Sequence, residues 1–209
     1  MFVLVENNSI TKTLQSNKGI TLGENQYPRA IYSSWSAAER EAIGIYEVVW
    51  DNSNQKDEKY YTNTNQSFAF ADGKVTASFG SATAKSLADT LWTQADSDNG
   101  DLPSDKSVGD VSVKGLKTQK KEIINQQASG LLTPTDWHVI KATEVESYSV
   151  PADMTTYRAA VRTASNDMEV LVDACNTVDE LATLYKYVNT GTEEDPVIER
   201  PLGEFPEEV

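Results

Sequence analysis

The sequence contains little of what several functional classes require. Its 209 residues include one cysteine and one histidine, too few for an internal disulfide or for a Cys/His zinc site. No apolar run approaches the roughly 18–20 residues of a membrane-spanning helix. Residues 1–6 carry no basic side chain and reach a charge too early for a signal peptide. We therefore expect a soluble protein that is made in the cytosol and does not enter a membrane.

Basic residues are also scarce. The chain holds 18 Lys and Arg against 32 Asp and Glu, which gives a formal net charge of −14. Nucleic-acid binding usually rests on many Lys and Arg contacts to phosphate, so this balance argues against it. The only basic cluster consists of Lys114, Lys117, Lys120 and Lys121. We interpret it as a solvated helix face, with a contact for an acidic partner as the alternative.

Motifs for catalysis or cofactor binding are absent or incomplete. Residues 80–86 are placed like a phosphate-binding loop, but the segment is one residue short and lacks the glycine before its lysine. Residues 96–101 alternate acidic side chains like a calcium loop, but the twelfth position is Ser107 instead of glutamate. Nothing in the sequence pairs His138 with Cys175, and no serine-nucleophile motif is present. We predict no cofactor, no metal site and no enzymatic activity.

The apolar residues that are present follow the two-residue period of β-strands in the first half of the chain. Hydrophobic residues make up 39% of the chain, with four Trp and nine Tyr, which is enough for a packed core. The predicted strands are residues 2–5, 9–15, 45–50, 60–62, 67–71 and 74–79. A turn at residues 6–8 joins the first two, and the strand at 60–62 is expected to pair with that at 45–50. Asp72-Gly73 predicts a hairpin with a two-residue primed turn between the last two.

Two helices are predicted beside these strands. Ser36 and Glu39 have the spacing of a capping box, and Gly44 should end the short helix that they begin. A second helix at about residues 83–95 would cover the face of the hairpin. The following stretch, residues 96–112, is rich in Asp, Ser and Gly and predicts a linker.

The second half has the spacing of helices. One apolar face begins near Leu116 and should end at Gly130, and Pro151 can open a second helix. A third helix is predicted at residues 165–175, and a capping box at residues 177–180 predicts a fourth. Trp137, in the connection between the first two, is expected to wedge between them. The alternative interpretation makes it an exposed anchor for a partner.

The expected fold class is therefore α+β. The predicted organisation is a small antiparallel β domain at 1–95, a polar linker at 96–112, a helical domain at 113–190 and an extended acidic tail at 191–209. Prolines and acids interrupt the four large apolar residues of the tail, so we predict neither a helix stripe nor a strand of a central sheet there. A disordered end is the simplest interpretation. The alternative is an extended peptide with apolar anchors that lies on a partner.

Two segments of the helical half carry a resemblance. The run Leu131-Leu132-Thr133-Pro134-Thr135-Asp136-Trp137 resembles the LL-x-x-TDW segment of bacteriophage tail assembly chaperones and related tail-fibre assembly proteins. A proline-started helix follows it, as in that family, with Pro151, Tyr157, Arg158, Ala160, Val161 and Arg162. Residues 2–8 and 35–48 resemble proteins found beside phage tail-fibre genes.

The resemblance implies a phage tail or tail-fibre assembly protein that is chaperone-like and non-enzymatic. A structural tail or fibre-attachment component of the virion is the close alternative, and a tail-associated host-surface hydrolase is the third. The expected partner is a phage tail or tail-fibre protein, with self-association into a homo-oligomer as a further expectation. The expected location is the host cytoplasm during assembly, with the virion tail as the second location. The residues predicted to bind the partner are Trp137, Val197, Ile198, Leu202 and Phe205.

Overall fold

The computed structural model describes residues 1–208, and its contacts divide into two compact units. The first unit spans Met1–Thr83 and the second begins at Ala84. The first is rich in strands and the second in helices, so the predicted α+β class is confirmed. The division falls ahead of the segment predicted as a linker, residues 96–112. That segment contains the end of one helix and the start of one strand.

A five-stranded sheet forms the frame of the first unit. Its elements are β1 Phe2–Glu6, β2 Ser9–Leu14, β3 Ile20–Leu22, β4 Asn25–Tyr27, α1 Ile31–Ser34, α2 Ala37–Glu41, β5 Ile45–Asp51, β6 Tyr61–Thr62, β7 Gln66–Ala71 and β8 Lys74–Phe79, and β9 Thr83–Ala84 lies at the junction. The sheet order is β2-β1-β5-β8-β7. Neighbouring strands are antiparallel, except that β5 and β8 run parallel.

Strand β1 lies in the middle of the core because both of its faces are buried. Successive side chains of a strand point to opposite faces, so its unbroken apolar run suits two-sided burial. One face packs with α1 and β5, and the other with β5 and β8. The first cluster contains Phe2, Leu4, Leu14, Ile31 and Ile45, and the second contains Val3, Val5, Val48, Val75 and Ala77.

The two predicted hairpin turns of this unit are present. Asn7 and Asn8 have positive φ angles of 51° and 61° in the first turn, and Asp72 and Gly73 have 51° and 71° in the second. Both hairpins are therefore confirmed, with the primed-turn backbone that the Asp-Gly pair indicated.

The predicted capping box at α2 is also present. The Ser36 hydroxyl accepts from the Glu39 amide at 3.3 Å, and the Glu39 carboxylate accepts from the Ser36 amide at 2.7 Å. Gly44 follows with φ of 81°, and a Cβ there would come within 2.7 Å of the Val5 carbonyl oxygen. The chain can therefore turn from α2 into β5 at this position only with a glycine.

One predicted pairing in this unit is wrong. Residues 60–62 were expected to pair with the strand at 45–50, but β6 lies outside the five-stranded sheet. Strand β5 pairs with β1 through its first residues and with β8 through its last. Its neighbours on both sides are therefore β1 and β8, and period-two patterns cannot reveal which strands become neighbours.

The second unit is built on a long helical hairpin. Its elements are β10 Thr90–Leu91, α3 Gln94–Asn99, β11 Val111–Val113, α4 Leu116–Leu132, a 3₁₀ turn at Thr133–Thr135, α5 Asp136–Glu144, α6 Ala152–Ala174, α7 Val178–Leu184, β12 Val188–Asn189 and β13 Ile198–Glu199. Helices α4 and α6 run antiparallel. The Lys121 ammonium pairs with Asp173 at one end of the hairpin, and the Leu132 carbonyl accepts from Arg158 at the other.

The helical hairpin is confirmed, but two of its predicted boundaries are wrong. Helix α4 continues through Gly130, where a Cβ would meet nothing within 4 Å and the φ angle is not positive. The predicted third helix, residues 165–175, is the second half of α6, which begins after Pro151 and is continuous for 23 residues. The capping box of the last helix is present, because the Thr177 hydroxyl accepts from the Glu180 amide at 3.1 Å.

The helix predicted at residues 83–95 is absent from the structure. Strand β10 occupies part of the segment and pairs with β11, and α3 begins only after a Thr93 capping box. Side chains compete with helical hydrogen bonds here, since the Ser86 hydroxyl donates to the Ala88 carbonyl. The Asp89 carboxylate accepts from the Gly115 amide at 2.6 Å, so a contact distant in sequence fixes the segment.

The predicted extended tail is also wrong in its central part. Strand β13 pairs with β12 as a two-stranded antiparallel hairpin. Beyond it, the Leu202 amide donates to the Leu184 carbonyl at 3.0 Å, and the Leu202 side chain is only 3% exposed. Arg200 forms an ion pair with Glu204 at 2.7 Å. This segment therefore packs on its own unit.

The helices of the described residues include no membrane-spanning candidate. Across residues 1–208, none combines the length and the apolar character that such a span requires.

Candidate partner-binding surface

A buried arginine fixes the connection between the two long helices. Arg158 of α6 is 8% exposed. Its guanidinium donates to the Leu132 carbonyl at 3.0 Å, to the Thr135 hydroxyl, and to the Asp136 carboxylate at 2.8 Å. These acceptors lie at the end of α4, in the 3₁₀ turn and at the first residue of α5. The arginine therefore holds the start of α5 in one orientation against α6.

Helix α5 buries none of its nine residues. Two of its large apolar side chains are more than half exposed, Trp137 at 52% and Ile140 at 57%. Residues three and four apart share a helix face, so Lys141 lies beside Trp137 and Glu144 lies beside Ile140. An exposed tryptophan and isoleucine on one face of a fixed helix form the kind of patch that proteins use to bind other proteins.

Aromatic rings stabilise the exposed tryptophan in one position. The rings of Trp137 and His138 stack with their centroids 3.6 Å apart. The Tyr148 hydroxyl and Nδ1 of His138 form a hydrogen bond. The Lys141 ammonium lies 4.4 Å from the centre of the Tyr148 ring and 5.8 Å from that of Trp137. We call Trp137, His138, Ile140, Lys141 and Tyr148 the α5 surface.

The prediction that Trp137 wedges between the hairpin helices is wrong. Arg158 and Thr135, which is 3% exposed, occupy the end of the hairpin instead. The connection is itself helical, and the Trp137 side chain is 52% exposed on it. The alternative interpretation, an exposed Trp137, fits the structure, whereas its role in binding a partner stays a prediction.

The four predicted residues of the tail fall into two groups. Val197 and Ile198 are exposed on the β12–β13 hairpin, at 43% and 60%. Leu202 is buried, and Phe205 packs against the cluster that contains Tyr157. The Leu202 side chain is therefore occupied within the second unit and Phe205 is half-buried there, whereas Val197 and Ile198 are exposed. The ring contacts of Trp137 within residues 1–208 are to the α5 surface alone, and none joins it to the tail.

The lysine cluster around the start of α4 lies on a solvated face, as the sequence predicted, and it also makes exposed contacts within its own unit. Lys114 forms an ion pair with Glu122, and Lys121 pairs with Asp173 at 2.9 Å. Lys117 donates to the Asp173 carbonyl at 2.8 Å, while the Lys120 ammonium lies 4.5 Å from the centre of the Tyr185 ring. The contacts of Lys117, Lys120 and Lys121 link α4 to the last turn of α6 and to Tyr185, the residue after α7.

The residues considered for catalysis or metal binding serve other contacts. His138 bonds to Tyr148, whereas the buried Cys175 thiol donates to the Leu171 carbonyl at 3.4 Å. Burial first, and the Glu180 carboxylate second, raise the pKa of the Cys175 thiol. Within residues 1–208, no three His, Cys, Asp or Glu side chains come together as metal ligands.

Comparisons with protein-family models, with curated proteins and with solved structures find no match to this chain.

Sequence reasoning missed Ile140, Lys141 and Tyr148 as members of the α5 surface. A signal for the first two is present, because positions 137, 140 and 141 share one face of a helix. The threonines and the proline just before Trp137 favour a turn, and a turn prediction leaves this helical periodicity unused. Tyr148 lies beyond the end of α5, and its place beside His138 follows only from the folded backbone.

Proposed function

We propose that this protein is a phage tail or tail-fibre assembly protein with a chaperone-like, non-enzymatic role, and that it binds its partner through the α5 surface. One observation carries the proposal. The two segments that resemble tail assembly chaperones contact each other, because Arg158 of the second bonds Thr135 and Asp136 of the first. Residues of both segments that carry the resemblance thus hold the helix on which the exposed tryptophan lies.

The arrangement suits protein binding for energetic reasons. Exposed tryptophans that are held in place often dominate the affinity of an interface. Stacking on His138 and the position of Lys141 restrict the Trp137 ring before any partner arrives. Less side-chain entropy is then lost on binding, so more of the contact energy appears as affinity. The partner we propose is a tail or tail-fibre protein that presents an apolar surface during assembly.

A structural role in the virion is the second candidate. The exposed Val197 and Ile198 of the β12–β13 hairpin, together with the exposed Tyr187 beside β12, offer a second apolar surface. A component that stays in the tail contacts more than one neighbour, and a second surface of this kind favours that role. The location follows from the role: host cytoplasm for a chaperone, virion tail for a structural component.

Co-expression with the tail-fibre proteins of the same genome tests the proposal. We expect the protein to raise the soluble yield of one of them and to co-purify with it. Trp137→Ala should abolish both effects while the variant still folds. Trp50→Ala is the matched control, because Trp50 is 45% exposed in the first unit, where it packs edge-on to Phe68. If the Trp137→Ala variant raises the soluble yield and co-purifies as well as the wild type does, the α5 surface is not the contact.

Counting copies in purified particles separates the two roles. A chaperone should be absent or far below one copy per fibre, and a structural component should appear at a copy number that matches the tail symmetry. If no fibre or tail protein gains solubility or co-purifies, and particles lack the protein, both roles are wrong.

A further inference from the structure

The hairpin of α4 and α6 has an apolar side and a polar side. On the apolar side, Tyr157 and Val161 pack against Ala128 and the end of α4. The polar side borders a cleft of about 440 Å³, whose lining also includes Ala128 and Leu132 of the apolar cluster. Each helix contributes polar side chains at four-residue spacing, which places them in a row along the cleft. These are Asn125 and Ser129 from α4, Thr133 from the 3₁₀ turn that follows it, and Arg158, Arg162 and Asn166 from α6.

This cleft contains one positive charge that no carboxylate balances. Arg158 is neutralised by Asp136 at 2.8 Å. The Arg162 guanidinium donates to the backbone carbonyl of Arg158 at 3.2 Å, so it lies against the preceding turn of α6. Among residues 1–208, no carboxylate oxygen lies within 4.0 Å of the Arg162 nitrogens. Two guanidinium groups share the cleft with one carboxylate, in a chain whose net charge is −14.

The Arg162 guanidinium, which has no carboxylate partner, indicates which chemical groups a ligand of the cleft would carry. Its planar array of N–H donors matches the two oxygens of a carboxylate. The neighbouring amides of Asn125 and Asn166 and the hydroxyl of Ser129 offer both donors and acceptors. The Asn125 amide oxygen already accepts from the Ser165 hydroxyl at 3.5 Å. Such groups suit the N–H and C=O groups of a peptide backbone. The cleft volume lies in the range of roughly 300–1,000 Å³ that is usual for small-ligand sites.

We propose that this cleft binds a short peptide segment through one aspartate or glutamate side chain, whose carboxylate pairs with Arg162. The Asp136 carboxylate also borders the cleft and disfavours a doubly charged anion such as phosphate. The large negative charge of the whole chain likewise repels a polyacidic ligand. A segment with a single carboxylate is therefore preferred. The cleft uses none of the rings of the α5 surface, so its test does not depend on the proposed function.

Side-chain NMR of the full chain with ¹⁵N-labelled arginine tests the site. The probe is acetyl-Ala-Glu-Ala-amide, and acetyl-Ala-Gln-Ala-amide at equal ionic strength is its neutral match. We expect the Nε–Hε signal of Arg162 to shift with the glutamate peptide alone. Half-saturation on the order of several millimolar is expected, as for a ligand with one ion pair and few other contacts. Added salt should weaken binding because the pair is open to solvent.

Two variants and one competitor complete the experiment. Arg162→Gln should abolish binding of the glutamate peptide. Arg29→Gln, at an exposed arginine of the first unit, should leave the shift of the Arg162 signal intact. Arg162 is exposed, so an unchanged backbone spectrum is expected for its variant, and Arg162→Lys provides a charged second variant with weaker binding. An unmoved Arg162 signal, or equal shifts with both peptides, would overturn the proposal. Inorganic phosphate that saturates Arg162 at lower concentration than the peptide would overturn the peptide assignment.

Discussion

Replacing Arg158 by methionine should destabilise the second unit strongly. The methionine side chain can follow the path of the arginine stem, so most of the packing is retained. What disappears is the guanidinium and its bonds to Leu132, Thr135 and Asp136. The junction of α4, the 3₁₀ turn and α5 then loses the group that holds it to α6.

The magnitude depends on how far each of the three acceptors is buried. Thr135 is 3% exposed, and its hydroxyl together with the Leu132 carbonyl would lose a charged donor, at about 1.5–3 kcal/mol for each such bond. The Asp136 side chain is 52% exposed, so its ion pair contributes about 1 kcal/mol or less after solvent screening. Because bonds to one group are not additive, we expect a loss of about 3–4 kcal/mol in the free energy of unfolding.

Urea unfolding followed by far-ultraviolet circular dichroism measures this loss, since the long helices belong to the second unit. Arg162→Gln is the control on the same helix and should stay within about 0.5 kcal/mol of the wild type, as expected for an exposed site. Arg158→Lys should be nearly as unstable as Arg158→Met, because an ammonium cannot reach the three acceptors at once. If Arg158→Met costs less than about 1 kcal/mol, the arginine does not hold the junction.

Three further predictions concern the tail, the tryptophan and a capping carboxylate. Leu202→Ala should cost about 2–4 kcal/mol in the same unfolding assay, because the side chain is buried and leaves a cavity; an unchanged midpoint would mean that the tail does not pack on its own unit. Trp137→Ala should cost about 1–2 kcal/mol, comparable to Trp50→Ala, because half of the ring faces solvent and no cavity is enclosed. The bond from the Gly115 amide, and then that from a threonine hydroxyl, lower the pKa of Asp89 below its ordinary 3.8. Its stabilisation is therefore present above the ordinary pKa and is lost as the pH falls through the lowered value. Unfolding measured against pH should show Asp89→Asn less stable than the wild type at neutral pH and equal to it in strong acid, and a difference independent of pH would contradict the assignment.

Features that depend on a few neighbouring residues were predicted correctly. Asp72 and Gly73 form their turn because the strands on both sides need positive φ angles at just two positions. Ser36 and Glu39 bond across a single helical turn, so their spacing is the whole signal. The α+β class follows from such signals, because the strand period fills the first half and the helix period fills the second.

Features that depend on distant partners were not predictable in this way. Residues 83–95 have a helix-like apolar spacing, yet the bond between Asp89 and Gly115 and the pairing of β10 with β11 impose another conformation. The intrinsic helix propensities of ordinary residues differ by only a few tenths of a kcal/mol per residue. A small number of tertiary contacts can therefore outweigh the local preference for a helix.

Signals between neighbouring residues specify the turns, the capping boxes, the two-sided apolar strand at 2–5 and the helical hairpin on either side of the LLTPTDW segment. Which side chains are available to a partner depends on the packing of the folded chain and is not written in such local signals. Arg158 takes the place between the helices that was expected for Trp137, and so the tryptophan lies in solvent. Leu202 finds a buried site that its proline-interrupted segment does not indicate. Exposure is a property of the neighbours that surround a residue in space, and those neighbours are brought together by folding.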